Sequence, residues 1–254
     1  MKLQLEQLQL QRGPRVLCQP FDLRIEDGQC WGVLGSNGSG KTTLLHTLAG
    51  LHHDYTGRID LDGTAIDQIP RKQFARQVGL LLQTNEEAFP GSAIETVLTG
   101  RHPHLRAWQW ESEQDLALAH KTLQQVDLAG FEQRNLLTLS GGERRRLYIA
   151  TLLAQRPQLY LLDEPANHLD LRHQHQILGL LQQLGTENHK SIIMVLHDPN
   201  LAARYCDHVL LLHEDGHIEG GPSEALMTAE RLSHLYGYVI REVIDEQQRL
   251  FVAG

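Results

Sequence analysis

Gly35-Ser36-Asn37-Gly38-Ser39-Gly40-Lys41-Thr42 matches the pattern G-x-x-x-x-G-K-[ST], and its flanks decide how it reads. The apolar run Trp31-Gly32-Val33-Leu34 precedes it. A helical pattern with Leu44, Leu45 and Leu48 on one side follows, stopped by Gly50. Strand, glycine loop and helix in that order make a phosphate cradle. The glycines let successive N–H groups curl around phosphate oxygens, and the helix N-terminus adds the positive end of its dipole. Lys41 is placed to reach the β- and γ-phosphates of a nucleotide, and the Thr42 hydroxyl to ligate Mg²⁺.

Three more apolar runs resemble the first: Val78 to Leu82, Leu159 to Leu162 and Ser191 to Leu196. Short runs without alternation fit strands buried on both faces, as in a parallel sheet. Between the last two, Ile177, Leu178, Leu181 and Leu184 fall on one helical stripe. Strand–helix–strand order implies right-handed crossovers and an α/β fold. The four runs end at Gly35, Gln83, Asp163-Glu164 and His197. Ligands of open α/β sheets bind beyond the carboxyl ends of the strands, so one edge would gather a phosphate loop, an amide, two carboxylates and an imidazole. Asp163 is placed to hold Mg²⁺ directly or through water, and Glu164 to polarise an attacking water.

Further from the loop, Leu3 to Leu10 and Phe21 to Ile25 alternate like half-buried antiparallel strands, with Glu6-Gln7 as a break or bulge. Val209 to Leu212, His217 to Glu219, Val239 to Ile244 and Arg249 to Val252 are expected as short later strands of that antiparallel material. Residues 84–138 carry helical patterns at Ala93–Leu98 and Glu113–Val126 and read as a helical insertion.

The 254 residues, 41% apolar and 21% charged, suffice for one large α/β domain. A net charge of −8 argues against broad nucleic-acid wrapping. No apolar run approaches the roughly 18 residues that span a bilayer, and the N-terminal stretch lacks a signal-peptide core. Cys18, Cys30 and Cys206 are odd in number and far apart, so no disulfide framework or zinc site is expected. The fifteen histidines fit no ligand spacing, and all but His197 are expected at the surface. These features describe a soluble cytoplasmic protein.

Leu139-Ser140-Gly141-Gly142-Glu143 is the remaining unusual segment. Ser140 followed three residues later by Glu143 is a capping box, and Ile149, Leu152 and Leu153 give the helix an apolar face. Two glycines in a first turn are costly unless something must approach the backbone closely. A second phosphate-facing helix N-terminus explains them.

With these motifs in this order, the chain resembles the ATP-binding-cassette (ABC) ATPases along nearly its whole length. Gly35 to Thr42 is similar to the Walker A loop, with Thr43 beside it, and Gln83 to the Q-loop glutamine. Leu139 to Glu143 is similar to the signature, Leu159 to Asp163 to Walker B, Glu164 to the catalytic glutamate, Asp170 to the D-loop aspartate and His197 to the switch histidine. The resemblance implies a P-loop NTPase fold of ABC type: a mostly parallel core sheet with an antiparallel β subdomain and an inserted α-helical subdomain. The core would be residues 1–83 and 157–254, the helical part about 84–156. It implies ATP and Mg²⁺ as ligands, with Thr42, Gln83 and Asp163 around the metal. It also implies a homodimer in which Ser140, Gly141, Gly142, Glu143 and Asp170 serve the partner's ATP. Family members carry an aromatic against adenine near the end of the first strand; here Leu10-Gln11-Arg12-Gly13 leaves Arg12 as the stacking candidate.

Gly100-Arg101-His102-Pro103-His104 and the ending from Gly220 to Gly237 are similar to ATPases of iron-siderophore, haem and cobalamin importers. This implies a subunit on the cytoplasmic side of the bacterial inner membrane. It would dock peripherally on a membrane-spanning permease, with a solute-binding protein as an indirect partner and no nucleic acid. The alternative is a soluble non-transport cassette, such as an iron–sulfur assembly factor. The docking groove is expected within 84–106, with Phe89 and Arg101 in it, and one of Trp108 and Trp110 partly exposed beside it.

Overall fold

The computed structural model describes residues 2–83, 91–245 and 248–254. A six-stranded sheet runs in the order Ile218–Pro222, His208–Leu212, Cys30–Gly35, Ser191–Val195, Leu159–Asp163 and Val78–Leu81. Every neighbouring pair is parallel except the edge strand Ile218–Pro222, which is antiparallel to His208–Leu212.

Successive residues of these strands point to opposite faces. Val33, Leu161, Ile193 and Leu210 enter one apolar core, while Leu34, Leu162, Met194 and Leu211 enter another. Both faces are covered, so the central strands are apolar at nearly every position before their ends and do not alternate. Each fully buried aliphatic side chain contributes about 1.5–3 kcal/mol. That exceeds the span of roughly 1 kcal/mol in strand propensity, so burial fixes these strands.

Val209–Leu212 is a correction to the sequence reading. It lies inside the parallel sheet beside Cys30–Gly35, with Val209, Leu210, Leu211 and Leu212 all buried. Its lack of alternation was the sign that it belongs there.

A second sheet is antiparallel and covers one core. Leu3–Arg12 pairs with Phe21–Ile25 on one side and Tyr55–Leu61 on the other. Both registers slip around Glu6-Gln7, and Gln7 takes a left-handed φ of 48°. Gln7 is held there by Asp22, which accepts from its backbone N–H at 2.8 Å and from its side-chain amide at 2.7 Å. The extra residue resets the alternation, so Leu3 and Leu5 before it and Leu8 and Leu10 after it are all buried. The strand Tyr55–Leu61 was not foreseen, because only Ile59 and Leu61 are buried and Gly57 interrupts its pattern.

The helices Ala93–Thr99, Glu113–Gln125 and Gly141–Gln155 pack through Val97, Ala119, Leu123 and Ala150, in the same core that takes Leu162 and Met194. Each opens on a capping box, at Ser92/Glu95, Ser112/Asp115 and Ser140/Glu143.

Arg101, expected in a docking groove, is used internally. Its Nε donates to Asp115 at 2.7 Å and its Nη1 to the carbonyl of Ala154 at 2.8 Å. These bonds tie the segment after Ala93–Thr99 to the other two helices. The backbone N–H of Ser112 and the Arg101 guanidinium hold the Asp115 carboxyl at about 2, below its ordinary 3.8. A depressed folded-state value stabilises the fold above the unfolded value, and that stabilisation is lost as the pH falls from about 4 toward 2. Arg101→Met leaves a largely buried carboxylate without its cation, at a cost of about 3 kcal/mol. Thermal denaturation at neutral pH is expected to show a Tm lower by roughly 5–10 °C. The gap from wild type should close as the pH is lowered through that window. An unchanged neutral-pH Tm would mean that water already solvates the pair.

Candidate active site at the strand ends

The parallel register brings the strand ends level. Gly35 pairs with Leu212, Asp163 with Val195, and Leu81 with Leu162. Gln83, Glu164 and His197 lie one or two residues beyond these partners and meet at the same edge. A cavity of about 330 Å³ there is lined by loop residues between Asn37 and Thr43, by Gln83, Glu164 and His197, and by Arg12, Arg15 and Leu17. Arg15 and Leu17 carry no signal in the sequence, since nothing in the primary pattern folds that turn over the loop.

Gly35 cannot carry a side chain. A Cβ there would lie 2.5 Å from the Leu212 carbonyl oxygen and 2.7 Å from the Ser39 hydroxyl. Lys41 is buried and donates from Nζ to the carbonyls of Gly35 and Ser36, both at 2.8 Å. The ammonium thus braces the loop from within. Burial pulls it below its ordinary value, against the charges of Glu164 and Asp163. The hydroxyls of Ser36 and Ser39 are buried in the loop and have no hydrogen-bond partner among the described residues.

Asp163 is fully buried, and among the described residues neither carboxylate oxygen has a partner at hydrogen-bonding geometry. Burial pushes its carboxyl up, while the neighbouring Thr42 hydroxyl pulls it down. A buried, unpartnered carboxylate beside a hydroxyl suits a hard divalent cation with oxygen ligands, and Mg²⁺ fits these residues.

Glu164 is the hub of the edge. It is buried and holds a left-handed φ of 52°, a conformation a non-glycine residue keeps only when its surroundings impose it. Its Oε2 accepts from Gln83 Nε2 at 3.0 Å and from the side-chain amide of Asn167. Its Oε1 lies 2.5 Å from His197 Nε2. An ionised carboxylate only accepts, so Nε2 is the protonated nitrogen. The sequence foresaw Gln83, Glu164 and His197 together but not Asn167, whose type and position carry no signal on their own.

Ser140, Gly141, Gly142, Glu143 and Asp170 do not line this cavity. Ser140 caps its helix, accepting from Glu143 N–H at 3.2 Å, while Glu143 accepts from Ser140 N–H at 2.7 Å. Asp170 caps the helix Leu171–Asn188. A Cβ on Gly142 would lie 3.1 Å from the His168 carbonyl oxygen, whereas one on Gly141 would meet nothing within 4 Å. Within one chain, only the second glycine answers a close approach. Ser140 and Gly141 face open space.

Other expectations changed or fall outside the description. Phe89 is among the residues not described. Trp108 and Trp110 are both exposed, at 100% and 87%. His213 departs from the histidines expected at the surface: it is buried, with Glu219 at 2.9 Å from one ring nitrogen and His234 at 3.2 Å from the other. Among the described residues no helix is long and apolar enough to cross a membrane.

The profile of the ABC transporter family matches residues 18–167. The chain is 36% identical over 237 residues to the ferric enterobactin transport ATP-binding protein of Escherichia coli, covering 93% of this chain and 87% of that one. It is 35% identical over 254 residues to the hemin import ATP-binding protein of Burkholderia ambifaria, covering 93% of each. An inward-facing structure of a metal-chelate type ABC transporter superposes with a TM-score of 0.85 at 27% identity, over 99% of this chain and 97% of that one. A chain with this fold, this phosphate loop and these relatives belongs to the ABC transporter family, and it is an ATP-binding, ATP-hydrolysing member of it.

Proposed function

We propose that this chain is the ATPase subunit of a bacterial importer for an iron-siderophore, haem or cobalamin-type solute, docked on a separate membrane-spanning permease. The observation that carries this reading is the near full-length similarity to siderophore and hemin import ATP-binding proteins, in a chain whose cavity gathers Lys41, Gln83, Glu164 and His197. The iron–sulfur assembly alternative draws no support from these relatives.

Lys41 and the loop from Gly35 to Thr43 bind the phosphates, and Arg12, on the cavity wall, stacks on the adenine. Thr42, Asp163 and Gln83 hold Mg²⁺, which screens phosphate charge when bound. Glu164 orients the attacking water and takes its proton. His197 holds the Glu164 carboxylate in place and contacts the γ-phosphate. Glu164 makes three contacts, so its carboxylate is already aimed before ATP enters.

Residues 1–83 and 157–254 act as the core with its antiparallel β subdomain, and about 84–156 as the helical subdomain. The single set of motifs makes the working unit a homodimer, with Ser140 to Glu143 and Asp170 completing the partner's site. The subunit lies peripherally on the cytoplasmic face of the inner membrane, reached from outside through a solute-binding protein. It binds no nucleic acid.

Trp108 and Trp110 are the exposed apolar residues of the segment that follows Arg101, and we assign them to the permease contact. Tryptophans left bare on a subunit are favoured at interfaces. Trp108→Ala with Trp110→Ala is expected to leave basal ATPase activity within about twofold and to lower stimulation by reconstituted permease about tenfold. The measurement is ATPase rate with and without permease in proteoliposomes, beside solute uptake. Full stimulation in the double variant would place the contact elsewhere, and a chain that never sediments with permease-containing membranes would contradict the importer reading.

A further inference from the structure

Arg145 is a buried cation that nucleotide binding does not account for. Arg145 lies in the first turns of the helix Gly141–Gln155 and is 7% exposed. Its guanidinium reaches across the domain to two strand ends at once. Nη1 donates to the carbonyls of Leu82 and Gln83. Nη2 donates to the carbonyls of Asp163 and, at 2.9 Å, of Glu164. Its Nε has no partner. Among the described residues no carboxylate pairs with it directly; burial lowers it to about 10, against the charges of Asp163 and Glu164.

These carbonyls belong to the backbone on which the Gln83 and Glu164 side chains are mounted. They lie at or just beyond the ends of their strands: Asp163 still pairs in register with Val195, and the Glu164 carbonyl also accepts from the Asn167 N–H at 3.1 Å. A guanidinium makes charge-assisted bonds of fixed geometry, and its two nitrogens bridge the segments as a rigid fork. Glu164 needs such a restraint, because its left-handed backbone is imposed by what surrounds it. The helix that carries Arg145 also carries Ser140 and Gly141 at its exposed start.

We propose that Arg145 is a positioning residue that fixes Glu164 and Gln83 to the helix headed by Ser140, and so couples the two ATP sites of the dimer. The coupling rests on the reading above, in which that helix start serves the partner's ATP. A displacement of the helix when Ser140 engages the partner's nucleotide reaches the Glu164 backbone through one side chain. Each subunit then aligns its own glutamate when it completes its partner's site.

The test is steady-state ATPase kinetics of the full chain carrying Arg145→Met, Arg145→Gln or Arg145→Lys, with rates normalised to the nucleotide-binding fraction. Arg145→Met is expected to lower kcat about tenfold or more, to change KM for ATP less than about threefold, and to abolish cooperativity in ATP. Arg145→Lys keeps the charge but can bridge only part of the four carbonyls, and should recover part of both kcat and cooperativity. A purely structural role would lower Tm and the binding-competent fraction and leave normalised kcat and cooperativity intact, and that result would overturn the proposal. If the substituted chains do not fold, the readout moves to the unsubstituted dimer. There the Arg145 Nη hydrogens should exchange about a hundredfold more slowly than those of free arginine; free-arginine rates would overturn the proposal equally. A wild-type chain that hydrolyses ATP without any cooperativity would instead contradict the coupled dimer on which the proposal rests.

Discussion

Glu164→Gln is expected to bind ATP as wild type does and to turn it over at least about a hundredfold more slowly. The side chain is buried at the strand edge, with Gln83 and Asn167 donating to one oxygen and His197 to the other. Glutamine keeps the shape and the acceptor that faces Gln83. Its new N–H₂ faces His197, whose imidazole can answer by moving its proton to Nδ1 and accepting at Nε2. The edge therefore stays assembled, and what is lost is a base for the water proton. Because Lys41, the loop serines and Asp163 are untouched, nucleotide and metal still bind, and the ATP-bound dimer should accumulate. Single-turnover hydrolysis together with light scattering in Mg-ATP measures both effects. Normal turnover in Glu164→Gln would remove Glu164 from the chemistry.

The parts of this molecule that were legible in the sequence are those where one physical demand acts on consecutive residues. Double-sided burial made four runs uninterrupted, and the parallel register made their ends coincide, so Gly35, Gln83, Asp163, Glu164 and His197 could be placed together. The Glu6-Gln7 bulge was legible because it interrupts a strict period of two. Harder to see were demands met by residues distant in sequence. Tyr55–Leu61 owes its place to pairing with Leu3–Arg12 rather than to its own pattern. Val209–Leu212 was set among the antiparallel strands, although its four buried residues share the signature of the core runs. Arg101 looked like part of a surface motif, and only the packed helices reveal Asp115 and the Ala154 carbonyl as its partners. Arg145 and Asn167 sit a few residues beyond recognised motifs, and their roles arise from carbonyls and a carboxylate that folding brings to them. The caps at Ser92 and Ser112 were readable, since each has an acidic residue three positions on, but neither precedes a chemically suggestive segment.

Ser140→Arg and Lys41→Ala are each expected to leave almost no ATPase activity, for different reasons. Lys41→Ala removes the ammonium that braces the Gly35 and Ser36 carbonyls and faces the β- and γ-phosphates, so nucleotide binding is lost. Ser140→Arg leaves the cavity of its own chain intact, because Ser140 does not line it, and spoils only the surface offered to a partner. Mixed in equal amounts, the two variants pair in one arrangement that has a doubly damaged site and a site with both Lys41 and Ser140 intact. Random pairing places about a quarter of all sites in the intact form; activity above either parent supports the head-to-tail dimer, and coupling between the two sites of the mixed dimer reduces that gain. The most direct measurement is photo-crosslinking from position 140 in the ATP-bound protein, with isotopically heavy and light subunits mixed. The account predicts crosslinks from position 140 of one subunit to the Gly35–Thr42 loop of the other; crosslinks confined to the loop of the same subunit would contradict it.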